Sequence, residues 1–162
     1  MLNKMLKTGC FALLVMALGL TTSTGTADES ASRPNWKGSA FGTTAPDPEI
    51  PGLDCDVFAG ASSHLDLFTA QGCHSVNFDF TFQGYATWTT ENGASLNVTY
   101  SGQLFPSGDP SFPFGFIAIL EADGGTGRLS DAQGSAVMQG AFSGVPGEFF
   151  FDFEGTIHPK GK

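Results

Sequence analysis

Three polar side chains in this 162-residue chain have the types and spacing to do chemistry together. His64 and Asp66 stand two apart in a segment that reads as a strand (62–69), so both point to one side of it. His74, on the strand expected next, would complete a set able to ligate a metal or to act as a general acid/base pair. The simpler reading is favoured: a histidine at a strand end, hydrogen-bonded to a neighbouring carboxylate, since a metal site needs three convergent ligands. Tyr85, Trp88 and Tyr100 are candidate lining residues of a ligand pocket, with ordinary core packing the favoured alternative. His158, beside Pro159, reads as a solvated end.

Other chemistries lack their residue patterns. Asp79, Asp152 and Glu154 alternate with phenylalanines and read as the wet face of strands. Asp47, Glu49, Asp54 and Asp56 flank a proline-rich stretch without the regular spacing and terminal glutamate of a calcium loop. No Gly-x-Ser-x-Gly elbow and no Cys–His nucleophile pair is legible. No metal set and no cofactor motif is assigned, and the catalytic residues stay unknown. Asn97-Val98-Thr99 fits a glycosylation sequon, which matters only in a host that glycosylates exported chains.

The elements that must position these residues follow from composition and pattern. Sixteen acidic against seven basic residues give a formal charge of −9, with no Lys/Arg cluster. That balance argues against nucleic acid as a partner and against docking on an anionic membrane. Residues 1–27 have the anatomy of a secretory signal: Lys4 and Lys7, then an apolar run from Cys10 to Leu20, then small residues up to Ala27. The apolar run is too short to span a bilayer, so no stable membrane anchor is expected after cleavage. The expected location is exported, periplasmic or extracellular. Without residues 1–27 the chain keeps five basic and sixteen acidic residues, a formal charge of −11, and two cysteines. Cys55 and Cys73 are expected to pair, as cysteines in exported proteins most often do.

Residues 28–35 read as a flexible leader and 159–162 as a C-terminal tail, leaving 36–158 as one domain. Prolines at 46, 48 and 51 with Gly52 make 45–55 a surface loop. From His74 the period is two: His74, Val76, Phe78, Phe80 and Phe82 share a face, and Gly84 breaks the run. Phe112 to Glu121 is apolar on both faces, Phe114, Phe116, Ala118 and Leu120 against Ile117 and Ile119, which asks for cover on both sides. Strands are expected at 36–44, 62–69, 73–83, 85–90, 94–103, 112–122, 134–142 and 148–158, with a short helical turn near 128–132. Asn92-Gly93 marks a hairpin. Eight short strands with hairpin-length links suit an all-β, eight-stranded antiparallel up-and-down β-barrel, with a β-sandwich as runner-up.

Gly124-Gly125-Thr126-Gly127-Arg128-Leu129, followed by Ala132-Gln133-Gly134, resembles a segment of the allene oxide cyclase-like and dirigent-like small β-barrels, including exported bacterial members of unknown function. The run Phe149 to Ile157 is similar to their closing strand, and Ser63-His64-Leu65 and Glu91 to Ala94 resemble the bacterial members. Firm matches occupy the last third of 36–158. The glycines at 124, 125 and 127 read as a tight crossing, with Arg128 capping carbonyls or pairing with an acid and Leu129 plugging a barrel end. A phosphate loop is excluded, because no Gly-Lys-Ser/Thr and no following helix appear.

The resemblance implies a fold and an apolar cavity. Neither family's catalytic residues map onto this chain, so neither activity transfers. The expectation is an exported barrel module that binds a hydrophobic small molecule or serves a structural role. Two alternatives stand beside it: a cyclase/isomerase-like enzyme acting on an apolar substrate inside the barrel, and a homo-oligomeric interaction module.

Overall fold

The structure is a computed structural model and describes residues 35–158. The signal at 1–27, nearly all of the leader and the tail at 159–162 lie outside the described residues. Eight strands, β1 (Asn35–Pro46), β2 (Asp54–Ser62), β3 (Asp66–Val76), β4 (Thr81–Thr90), β5 (Ser95–Pro106), β6 (Phe114–Gly125), β7 (Gln133–Phe142) and β8 (Gly147–His158), pair antiparallel in chain order. β8 pairs back onto β1, with Phe41 opposite Phe150, and closes the barrel. The sheet therefore has no edge, and the sandwich alternative is excluded.

Alternation decides what fills the interior. On β8, Phe149, Phe151, Phe153 and Ile157 point inward while Phe150, Asp152 and Glu154 point out. Phe58, Phe68, Trp36, Trp88, Phe151 and Phe153 meet as one aromatic cluster; Phe68 stacks on Trp88 with centroids 4.6 Å apart, and Trp36 meets Phe153 edge-on at 5.2 Å. Such offset and edge-to-face contacts suit the ring quadrupoles as well as the burial.

The two ends differ. One carries the β2–β3 turn, the β4–β5 hairpin and the β6–β7 crossing, and there Leu65 and Leu129 are buried beneath the turns. The crossing holds a 3₁₀ turn at Gly127–Leu129. Gly124 and Gly127 take φ of 70° and 59°, angles a side chain resists, and Thr126 holds Ser95 by hydrogen bonds. Arg128 is exposed and makes no ion pair among the described residues. The other end carries the β1–β2 loop, the β3–β4 turn, the β5–β6 loop and the β7–β8 turn, and stays open as a mouth.

Several expected boundaries move. The segment 62–69 is not one strand: Ser63 to Leu65 form the turn between β2 and β3. β2 is a strand that the pattern does not predict: it starts inside the loop expected at 45–55, where Asp54 and Cys55 pair with His74 and Cys73, and runs on through 56–61, which no expected strand covers. The strand expected at 73–83 is two strands. Asn77–Phe80 is a hairpin turn, closed by the Asn77–Thr81 and Phe80–Asn77 backbone bonds, so Phe78 and Phe80 are exposed rather than on a dry face. Gly84 does not break a strand but lies inside β4. Ile117 and Ile119 lie on the outer face, 48% and 46% exposed, so the chain alone covers only one side of β6.

Cys55 and Cys73 face each other directly across β2 and β3 and form a disulfide, with Cα atoms 4.0 Å apart. It sits on the outer face of the strands whose inward positions hold Asp54, Asp56 and His74. Closing a loop of 18 residues restricts the unfolded chain. Replacing both cysteines by alanine is expected to lower the unfolding free energy by about 3 kcal/mol in a denaturant titration; an unchanged midpoint would show that the bridge adds nothing to stability.

Candidate functional site

The site grows from Asp56. It is the second inward residue of β2, and it is 6% exposed in a mostly apolar interior. A carboxylate there must find donors. His74 on β3 supplies one: its Nδ1 lies 2.9 Å from Asp56 Oδ2. Since a carboxylate only accepts, Nδ1 carries the proton. The Tyr100 hydroxyl on β5 donates to the same oxygen at 3.1 Å.

Tyr100 reaches across two strands because of Gly84. Gly84 pairs with Tyr100 on one side and with His74 on the other. A Cβ at position 84 would stand 2.5 Å from the tyrosine ring and 2.6 Å from its hydroxyl oxygen. The missing side chain is the space through which the phenol reaches Asp56. Gly72, opposite Asp56, and Ala86 beyond it keep the same part of the wall low.

The surroundings set the protonation states. Burial alone would lower the pKa of His74, but the hydrogen bond to Asp56 and the charges of Asp56 and Asp54 outweigh it, leaving His74 above its ordinary 6.5. Burial, then the charge of Asp56 and the hydrogen bond to it, push the Tyr100 phenol well above its ordinary value. Tyr100 is therefore a fixed donor rather than a phenolate base.

These groups line a cleft running from the mouth into the barrel, walled by Phe58, Phe82, Trp88, Phe116 and Phe151. Its inner space is about 70 Å³, and with the open mouth included the concavity reaches about 640 Å³.

The constellation expected from the sequence does not form. His64 lies in the β2–β3 turn and Asp66 is exposed at the start of β3, both at the plugged end, the whole length of β3 away from His74. Tyr85 points outward from β4 and is 58% exposed, so it lines no cavity. Trp88 and Tyr100 do border the cleft. Asp56 and Thr44 are the polar lining residues that the sequence reading left out. Their signal lay in the cysteines: once Cys55 pairs antiparallel with Cys73, Asp56 falls opposite Gly72 and beside His74.

Among the described residues the one group of three metal-type side chains is Asp47, Cys55 and Cys73. With both sulfurs in the disulfide, neither is a thiolate ligand. Comparison with protein-family models, curated proteins and solved structures finds no match to this chain.

The sign of the His74 shift makes a prediction. A folded-state pKa raised above the unfolded value contributes stability that is complete below about pH 6.5 and is lost as pH rises through the folded pKa. The unfolding free energy should therefore fall as pH is raised above the usual histidine range. His74→Gln should flatten that slope; a slope that survives the substitution would assign it to other groups.

Proposed function

We propose that the protein binds a small hydrophobic molecule in the barrel mouth, with Asp56, His74 and Tyr100 as its polar anchor. The observation that carries this reading is an apolar, aromatic-walled cleft, with about 70 Å³ of room below an open mouth, whose lining, one convergent polar cluster among aromatic rings, is that of a small-molecule site. A purely structural barrel would have no need of a buried carboxylate, which apolar residues of similar volume replace at little or no cost. The resemblance to the allene oxide cyclase-like and dirigent-like barrels carries the same expectation of an occupied cavity. The disulfide agrees with an oxidising, exported location.

Toluene added to labelled protein should shift the NMR signals of Leu120 and Met138, which border the cleft, and Leu104→Trp at its rim should abolish those shifts. Shifts confined to outer residues such as Ile119, or none at all, would overturn the reading.

A second reading, an isomerase-type enzyme acting on an apolar substrate, has one observation in its favour. His74 Nδ1 is held by Asp56, and its Nε2 makes no hydrogen bond among the described residues, as in an oriented general base. Once a bound molecule is known, turnover by the wild type but not by His74→Gln, with binding retained, identifies an enzyme. Recovery of the molecule unchanged identifies a binding protein.

A further inference from the structure

Thr44 and Asp56 are direct partners in the register of β1 and β2, both point into the barrel, and both border the cleft. Asp56 Oδ2 already has two donors, from His74 and Tyr100. Asp56 Oδ1 and Thr44 Oγ1 are buried and have none. A carboxylate oxygen can only accept, so Oδ1 lacks a donor, and the Thr44 hydroxyl beside it makes no hydrogen bond either. Both atoms border the cleft, so a donor entering it meets two unpaired oxygens side by side.

The charge of that donor follows from what surrounds it. Lys37 and Arg128, the two Lys/Arg side chains among the described residues, both lie at the plugged end, at the start of β1 and in the β6–β7 crossing. The mouth has carboxylates instead: Asp47 and Glu49 in the β1–β2 loop, Asp79 in the β3–β4 turn, Asp109 in the β5–β6 loop and Glu148 at the start of β8. Asp54 stands opposite His74 within the barrel wall. A cleft rimmed by one sign of charge concentrates ligands of the other. Inside, Phe58 is the next inward residue after Asp56, and Trp88 and Phe151 stand further in. Aromatic faces around a carboxylate suit an ammonium group, which the rings attract and the carboxylate hydrogen-bonds. A carboxylate ligand would meet repulsion at the rim and an acceptor facing an acceptor at Asp56.

We propose that the ligand is a small organic ammonium ion, a protonated primary amine on a compact apolar body, whose N–H groups reach Asp56 Oδ1 and Thr44 Oγ1. This rests on the binding role proposed above and names the ligand's class. His74 gives the site its pH dependence. Facing it are Asp54 and Asp56 from β2 and the uncharged Gly84 from β4, while the neutral Tyr100 shares Asp56 from β5. When His74 is protonated it already neutralises Asp56, and the amine competes with that proton. Once His74 is neutral, the carboxylate is free to be neutralised by the ligand.

The test is a set of four probes of similar size on the purified full chain: benzylammonium, benzyl alcohol, benzoate and toluene, followed by calorimetry and by the Leu120 and Met138 NMR signals. Benzylammonium should bind at least about tenfold more tightly than benzyl alcohol, and benzoate should not enter the cleft. Its affinity should rise as pH is raised above 6.5 and His74, held above that ordinary value, loses its proton. Asp56→Asn should abolish the preference over benzyl alcohol. If that variant does not fold, Thr44→Val should weaken benzylammonium more than toluene. Toluene and benzyl alcohol binding with no preference for the amine would overturn the ligand class while leaving an apolar binding site standing. Tight binding of benzoate would overturn the class as well. Failure of all four probes would overturn both.

Discussion

A carboxylate held inside a cage of aromatic rings is the constraint around which the mouth of this barrel is arranged. The charge of Asp56 is costly there unless donors surround it, and two residues provide them from different strands. His74 must stand beside it, which fixes the register of β2 against β3. Tyr100 must reach it from β5, which requires Gly84 to have no side chain. The disulfide ties together, on the outer face, the two strands whose inner face carries Asp56 and His74. Wall, bridge and polar cluster are thus parts of one arrangement.

The architecture was legible because period-two patterning is a local property. Closed antiparallel barrels need only that each strand alternate and that turns be short, and the runs from Tyr85 to Thr90 and from Phe149 to Ile157 show this directly. Where patterning misled, a local cue was overridden. The His74–Phe82 alternation continues through Phe78 and Phe80, yet four residues there form a turn, because Asp79 and Thr81 hydrogen-bond across it. The prolines at 46, 48 and 51 masked the start of β2, which the disulfide and the pairing with β3 hold in place.

The site was harder to read for a geometric reason. His64 and Asp66 are close in sequence, whereas Asp56 and Tyr100 are 44 residues apart and meet only across the curvature of the closed sheet. Sequence spacing reports which residues share a face; it does not report which faces come within hydrogen-bond reach over a glycine. Tyr85 and Tyr100 looked alike as pocket candidates, and the difference between them is one of parity within the strand: Tyr85 falls on the outward set of β4 and Tyr100 on the inward set of β5.

The pairing of Asn35 with Thr156 places the beginning of β1 and the end of β8 side by side, at the plugged end. Any chain that continues past either strand therefore leaves from the base of the molecule. The two strand ends are thus a shared base, with the full length of the barrel between them and the mouth.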